Sequence, residues 1–173
     1  MSYAKKHRKQ KEARNIDQHE KKKAYKPNQP FRAVEGVGTT AWKKLAMGAV
    51  GILMEFYGKF NGFNRYDLSL TYREVKNKMS SLLFTRFLWQ LIGFGFLDIR
   101  RTGRLMRNCS LFGISNRWRK LCEEPENLDE IDKLLKQIEL IKRQRGSQKK
   151  RMKMWELRNR ILKLGRHPKV KHP

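Results

Sequence analysis

The stretch from Leu68 to Trp118 constrains the fold of this chain more than any other feature, because it carries a series of local signals in a fixed order. The alternating residues Leu68-Ser69-Leu70 predict a short strand. Thr71 and Glu74 then have the spacing of a capping box, in which each side chain bonds the backbone of the other. A helix over 72–78 is therefore predicted directly after the strand.

A second helix and a hairpin follow. Met79-Ser80-Ser81 predicts a turn in which either serine can cap the next helix, and the apolar pattern predicts that helix over 82–94, ending at Gly95. Alternation over 96–100 predicts a half-buried strand, and Thr102-Gly103 begins the turn to a returning strand. The expected fold class is α+β, with a helical core and a small hairpin.

Helices are also predicted on both sides of this stretch. Apolar residues at three- and four-residue steps predict a helix over about 41–59, capped by Thr39 or Thr40, in which Gly48 and Gly51 permit a close helix crossing. Trp118 is expected to plug the core beneath the hairpin. Pro125 is expected to break the chain before a helix capped by Asn127 or Asp129, and a further helix is predicted over 149–164. The first of these two has a narrow apolar stripe: Leu128, Ile131, Leu134, Leu135, Ile138 and Ile141.

The formal net charge of +25 lies mainly at the two ends of the chain. Residues 1–30 contain ten Lys/Arg against three Asp/Glu, residues 141–173 contain thirteen against one, and the middle holds eighteen against twelve. Polycationic ends around a nearly balanced centre favour a polyanionic partner, DNA or RNA. A membrane partner is not expected, because no apolar run reaches the roughly 18 residues that a span needs.

The second helix and the hairpin carry the candidate binding residues. Side chains opposite the predicted core face (Leu83, Phe84, Phe87, Leu88 and Leu91) can reach base edges from a helix in the major groove. Four arginines of the hairpin, with no acidic residue among them, can contact phosphates or the minor groove. The predicted DNA-binding set is Arg73, Ser80, Ser81, Thr85, Arg86, Trp89, Gln90, Arg100, Arg101, Arg104 and Arg107, with Leu82 on the same helix face.

The motifs in 68–118 resemble those of winged helix-turn-helix DNA-binding proteins of bacterial, plasmid and phage type. The resembling segments are Leu70-Thr71-Tyr72-Arg73-Glu74, Ser80-Ser81, Leu91 with Gly95-Phe96-Leu97, and Ser115-Asn116-Arg117-Trp118. The chain departs from that pattern where Lys-Met-Ser-Ser replaces a Gly-Val/Leu-Ser turn, and in its heavy basic arms. The resemblance implies a duplex DNA-binding protein in replication initiation or transcription regulation, with helix 82–94 in the major groove and hairpin 100–108 as the wing.

This interpretation divides the chain into a basic arm over 1–30, a winged-helix domain over 31–122, a helical extension over 127–165 and a tail over 166–173. The extension is a possible homodimerisation element through 127–145. An RNA- or ribonucleoprotein-binding protein is the alternative, since basic arms also suit RNA. A cytoplasmic, nucleoid-associated location is expected, or the nucleus if the source is eukaryotic.

Enzymatic and cofactor functions are not expected. The four histidines, His7, His19, His167 and His172, lie near the ends of the chain, away from any carboxylate cluster. Cys109 and Cys122 lack the spacing of a zinc site, and Cys109 is expected to be a small buried residue of the returning strand. No catalytic residue, metal or cofactor is predicted.

Overall fold

A computed structural model of the chain describes residues 34–103, 109–143, 148–165 and 167. Within these residues the fold is α+β and mostly helical, with one antiparallel pair of strands. The elements in chain order are α1 (Thr40–Lys43), α2 (Met47–Lys59), α3 (Tyr72–Val75), α4 (Ser81–Gly93), β1 (Leu97–Arg101), β2 (Leu111–Ile114), α5 (Trp118–Glu123), α6 (Pro125–Arg143) and α7 (Gln148–Leu164). The predicted arm over 1–30 and nearly all of the tail over 166–173 lie outside the described residues.

The predicted hairpin is confirmed. β1 and β2 pair antiparallel, with Leu97 opposite Ile114 and a register shift between Ile99 and Arg101. The predicted strand at Leu68 is reduced to a single bridge, in which the N–H of Leu68 donates to Phe112 O at 3.0 Å and the N–H of Phe112 donates to Leu68 O at 2.7 Å. Pairing ends there because Thr71, three residues on, begins the next helix.

The predicted helix over 41–59 is wrong in one respect: it is two helices. Ala46 has an extended backbone between α1 and α2, and its N–H donates to the side-chain oxygen of Gln90 at 3.3 Å. A long-range hydrogen bond to Gln90 thus interrupts a segment whose local pattern favours a continuous helix. The crossing predicted at Gly48 is confirmed, because a Cβ there would overlap the ring of Phe87 on α4, whereas the space beside Gly51 is open.

α4 follows its prediction closely, whereas α3 ends at Val75, three residues before the predicted end at Lys78. The Thr71–Glu74 capping box is formed, with the N–H of Thr71 donating to Glu74 Oε1 at 3.0 Å. Ser80 caps α4, and its hydroxyl accepts a hydrogen bond from the N–H of Leu83 at 3.4 Å. Gly95 follows the end of α4 with a φ of +80°, a conformation that glycine adopts without steric cost.

The C-terminal extension shares the core of the central domain. All six residues of the apolar stripe on α6 are buried, as their spacing predicted, together with Ile161 of α7. A Cβ on Gly93 would lie 3.0 Å from Ile131 and 3.1 Å from Ile161, so this glycine lets both helices approach the end of α4. The apolar stripe of α6 is therefore buried within the chain itself.

Two further predictions need correction. α5 ends before Pro125 as predicted, but α6 begins at Pro125 itself and not after a cap at Asn127 or Asp129, because the missing N–H of proline costs nothing at the first helical position. Cys109 is exposed and precedes β2, because pairing begins only at Leu111. Trp118 is half-buried and stacks on Phe96 at a centroid distance of 6.1 Å, which agrees with its predicted place beneath the hairpin.

Candidate nucleic-acid interface

The first turn of α4 is open to solvent. Ser80, Ser81, Leu82 and Leu83 are all exposed, and the first turn contains no acidic residue. The first N–H groups of a helix have no partner within the helix, and the helix dipole makes this end positive. The end of α4 is thus chemically suited to an anionic oxygen. Ser81 is its first residue, and the hydroxyl of Thr85, one turn on, donates to the carbonyl of Ser81 at 2.9 Å.

Two cations next to this turn are available for a ligand. Arg73 on α3 and Lys76 just after it are exposed, and neither has an ion pair among the described residues. By contrast, Lys59 is paired with Glu74 and Lys78 with Glu55. The Tyr72 ring lies 6.3 Å from the Phe84 ring, so α3, which carries Arg73, is packed directly against α4.

The second half of α4 differs from its prediction. Gln90 was expected on the outward face but is buried, because its side chain bonds the N–H of Ala46 between α1 and α2. Arg86 forms an ion pair with Glu139 of α6, and Trp89 is half-buried beneath the guanidinium of Arg158 of α7, 4.8 Å from its ring centroid. The extension therefore engages Arg86 and Trp89 of the predicted DNA-reading face, whereas Gln90 is engaged by the segment between α1 and α2.

The predicted core face of α4 also shifts. Phe84, Leu91, Ile92 and Gly93 are buried, whereas Leu83 is 38% exposed and Phe87 and Leu88 are half-buried. The core face rotates toward Ile92 because α6 and α7 pack near the end of the helix, as their contacts at Gly93 indicate.

α6 and α7, which pack against α4, place Lys142 and Arg158 close to Arg86 of α4. Burial lowers the pKa of Lys142 on α6, and the positive charges of Arg158 and Arg86 lower it further, while Glu139 opposes them. Burial also lowers the pKa of Arg158. Leu82 and Leu83 form with Arg86, Glu139 and Lys142 a groove of about 190 Å³ where the exposed and covered parts of α4 meet.

The hairpin carries the other predicted cations. The guanidinium of Arg100 lies 4.3 Å from the ring centroid of Tyr66, and Arg101 is half-buried at the end of β1. The N–H of Gly103 donates to the hydroxyl of Ser110 at 2.9 Å, which closes the base of the loop. Arg104 and Arg107, both predicted site residues, lie outside the described residues.

A buried ion pair that the sequence did not reveal holds the hairpin against the rest of the core. The Arg117 guanidinium bonds the Asp98 carboxylate at 2.6 Å, and it also donates to the carbonyls of Ile92, Leu97 and Gly165. Both side chains of the pair are only 12% exposed. Burial lowers the pKa of Arg117, and the Asp98 charge opposes that shift. Arg117 is thus a positioning residue that ties the end of α4, β1 and the end of α7 together.

His167 adds a second link, because its Nε2 accepts a hydrogen bond from the N–H of Ile99 at 2.7 Å. Nothing in the spacing of Asp98, Arg117 and His167 marks them as neighbours, since they come from distant parts of the chain. Asp98 is a polar residue between the apolar residues of β1, but Arg117 and His167 lie in polar segments and carry no such signal.

Among the described residues, no group of three or more His, Cys, Asp or Glu side chains is arranged to hold a metal ion. None of the helices in the same ranges has the length and apolar character needed to cross a membrane. No protein-family model matches the chain, and neither a curated protein nor a solved structure matches it. The function has to be inferred from the residues and geometry above.

Proposed function

We propose that this chain is a winged helix-turn-helix protein that binds duplex DNA, acting in replication initiation or transcription regulation. In this proposal α3 and α4 are the helix-turn-helix, α4 is the recognition helix and the β1–β2 hairpin is the wing. The observation that carries the proposal is the open first turn of α4 together with two exposed cations of the α3 segment packed against it, Arg73 and Lys76, which have no ion pair among the described residues.

The order of the elements supports this assignment. A helix (α2), a bridge at Leu68, two helices joined by a short turn and an antiparallel hairpin follow one another in the chain. A helix-turn-helix presents its second helix to the major groove, with its N-terminal residues at the base edges. The exposed residues of α4 lie at that end.

The covered half of α4 restricts how the helix could enter a groove. With Arg86, Trp89 and Gln90 engaged inside the chain, α4 would approach through its first turns and not along its whole length. Ser81 and Thr85 would then face base edges, while Ser80 and the first N–H groups of α4 would contact a phosphate.

The remaining cations fit the same docking. Arg100 and Arg101 lead into the hairpin loop, where Arg104 and Arg107 would serve as the wing at a phosphate or in the minor groove. The basic arm over 1–30 and the basic C-terminus would add phosphate contacts that do not depend on sequence. The proposed location is cytoplasmic, on the nucleoid.

Ser81→Glu tests the docking at the first turn of α4. A carboxylate there favours the helix, because it lies at the positive end of the helix dipole, but it repels a phosphate. We expect the affinity for duplex DNA to fall by about tenfold, the equivalent of about 1.4 kcal/mol, in an electrophoretic mobility shift at fixed salt.

Gln137→Glu is the matched control, since it adds the same charge at an exposed position on α6. It should change the affinity by less than about threefold, as a distant exposed charge is screened by salt. Equal losses in both variants would overturn docking through α4. If the parent protein bound structured RNA more tightly than duplex DNA, RNA would be the proposed ligand instead.

A further inference from the structure

On the outer side of α7 an aromatic residue, Trp155, is exposed to solvent and does not pack against the core. Trp155 is 62% exposed and Met152, three residues before it, is 55% exposed. Residues three and four apart share a helix face, so these two form one apolar patch. Large exposed aromatic residues are unusual on a highly charged helix and often mark a binding surface.

The opposite side of α7 already anchors the helix. Ile161 is fully buried, Met154 and Leu157 pack against the core, and Arg158 lies over Trp89. These contacts hold α7 in place without Trp155. Removal of the Trp155 side chain should therefore change what the surface binds and leave the fold intact.

Cations flank the apolar patch: Arg151 lies on the side of Trp155, and Lys149 and Lys153 lie on the side of Met152. Lys149, Arg151 and Lys153 are exposed, and none of them has an ion pair within the described ranges, whereas Arg160 further along is paired with Glu130. An open groove of about 490 Å³ runs beside Met152 and is lined by Gln148, Lys149, Lys153 and Glu156. Arg151 lies one helical turn before Trp155, on the same face.

Charge decides what can occupy this surface. The arm over 1–30 has ten basic residues against three acidic ones, and the C-terminal residues are also strongly basic. Both segments would therefore be repelled by the cations of this surface. A second copy of the chain would present the same cations. A polyanion with exposed flat rings meets both requirements, because its phosphates can approach the cations while a base stacks on the indole.

We propose that the outer side of α7 binds single-stranded nucleic acid, with Trp155 stacked on an unpaired base and Lys149, Arg151 and Lys153 at the backbone. Bases of an intact duplex are stacked on one another, so an exposed indole selects strands that are open. This surface is separate from the first turn of α4 and does not depend on duplex binding there. A protein with both surfaces could hold a duplex and an adjacent opened strand.

Trp155→Ala in the full chain tests the proposal against an oligo(dT) strand of about 12 nucleotides, a length within the usual range of single-strand sites. Fluorescence anisotropy of the labelled strand should show a loss of affinity of about tenfold, since a stacked base contributes about 1–3 kcal/mol. Trp155→Phe, which keeps an aromatic face, should stay within about threefold of the parent. The affinity for a labelled duplex should change by less than about twofold.

Leu140→Ala is the matched control, because Leu140 is an apolar residue of α6 with nearly the same exposure, 61%. It should leave oligo(dT) binding unchanged, and circular dichroism should confirm that all variants are folded. Ser81→Glu should retain oligo(dT) binding, so that failure of duplex docking and failure of this proposal give different results.

Three results would overturn the proposal. These are an unchanged oligo(dT) affinity in Trp155→Ala, an equal loss for strand and duplex, and no rescue by Trp155→Phe. A blue shift of Trp155 emission with phosphatidylserine vesicles, without a response to oligo(dT), would assign the surface to an anionic membrane instead.

Discussion

Both halves of α4 carry residues that the sequence predicted to face outward. Those in the first half are open to solvent, whereas those in the second half contact other helices. The first turns expose Ser81 and Leu82, beside cations with no ion pair among the described residues. The second half places Arg86 and Trp89 against Glu139 and Arg158, side chains that arrive from α6 and α7. Helical periodicity thus identifies the residues that share a face, but it does not reveal that another part of the chain covers half of that face.

The close approach of α6 and α7 to the end of α4 explains the difference. Gly93 has no side chain, and Ile131 and Ile161 occupy the space where one would be. Arg117 then joins the end of α4 to the end of α7 through the carbonyls of Ile92 and Gly165. The covered half should therefore be the more stable part of the helix and the exposed half the part free to bind.

The largest effect is expected from Asp98→Ala, which leaves the Arg117 guanidinium buried without its counter-charge. Removal of one member of a buried ion pair costs about 3–5 kcal/mol. We expect the free energy of unfolding in a denaturant titration to fall by about that amount, with the loss shared by α4, the hairpin and α7, because Arg117 contacts all three.

Asp132→Ala is the control, since Asp132 pairs with Lys136 on the surface of α6. Its denaturation midpoint should lie close to that of the parent, because exposed pairs contribute little. If Asp98→Ala unfolded the extension alone, the covered half of α4 would not depend on Arg117, and the contrast between the two halves would need another cause.

The effect of intermediate size is a difference between Arg73 and Arg86 in the salt dependence of DNA affinity. This prediction rests on the proposed duplex binding. Arg73→Ala should reduce the slope of log K against log salt by about 0.9, the value for one lost phosphate contact on duplex DNA. Arg86→Ala should leave the slope near that of the parent, because Glu139 already pairs with this guanidinium. Mobility shifts at several salt concentrations measure both slopes.

A reduced slope in Arg86→Ala and an unchanged slope in Arg73→Ala would contradict the contrast between the two halves of α4. This result would mean that Glu139 releases Arg86 when DNA binds and that the covered half of α4 opens. Glu139→Gln would then steepen the salt dependence in the same assay, because the freed Arg86 could contact a phosphate.

The smallest effect concerns Glu74, which holds the start of α3 near the exposed half of α4. Partial burial acts to raise the pKa of Glu74, but hydrogen bonds from Lys59 and Thr71 outweigh it and lower the pKa below its ordinary value of 4.5. A folded-state pKa below the unfolded one contributes stability that is complete above the unfolded pKa and is lost as the pH falls through the folded pKa.

Glu74→Gln keeps an acceptor for the capping box and removes the charge. Because Glu74 is largely exposed and screened by solvent, we expect a cost of about 0.2–1 kcal/mol at neutral pH. The difference from the parent in denaturant titrations should shrink as the pH falls below the unfolded pKa. A difference that is the same at acid and neutral pH would assign the effect to capping geometry and not to charge.

Most local structure between 71 and 121 could be predicted from the sequence. The capping box, the serine cap of α4, its end near Gly95 and the antiparallel hairpin all depend on residues close to one another in the chain. The apolar stripe of α6 was also predicted correctly, because all its members are buried. The sequence did not predict which elements bury it, α4 and α7.

The errors on α4 and on the helix before it share one property, since each depends on a residue far away in the chain. Ala46 interrupts a predicted helix because of Gln90, and Gln90 is buried for the same reason. Arg86 is paired with Glu139 of α6, although its side chain stays 40% exposed, and Trp89 is half-buried beneath Arg158 of α7. No spacing pattern shows these contacts, because they arise only when separate elements pack.

The sequence by itself determined the caps, the helical and strand periods, the net charge of +25 and the basic character of both ends. These properties depend on side-chain chemistry and on hydrogen bonds within a few residues, so they are readable before folding. The tertiary structure alone decided which half of α4 faces solvent, where Arg117 finds its acceptors and that Trp155 is exposed. The physical reason is that burial is a property of packed surfaces, and the surfaces that meet here, on α4, α6 and α7, are separated by tens of residues in the chain.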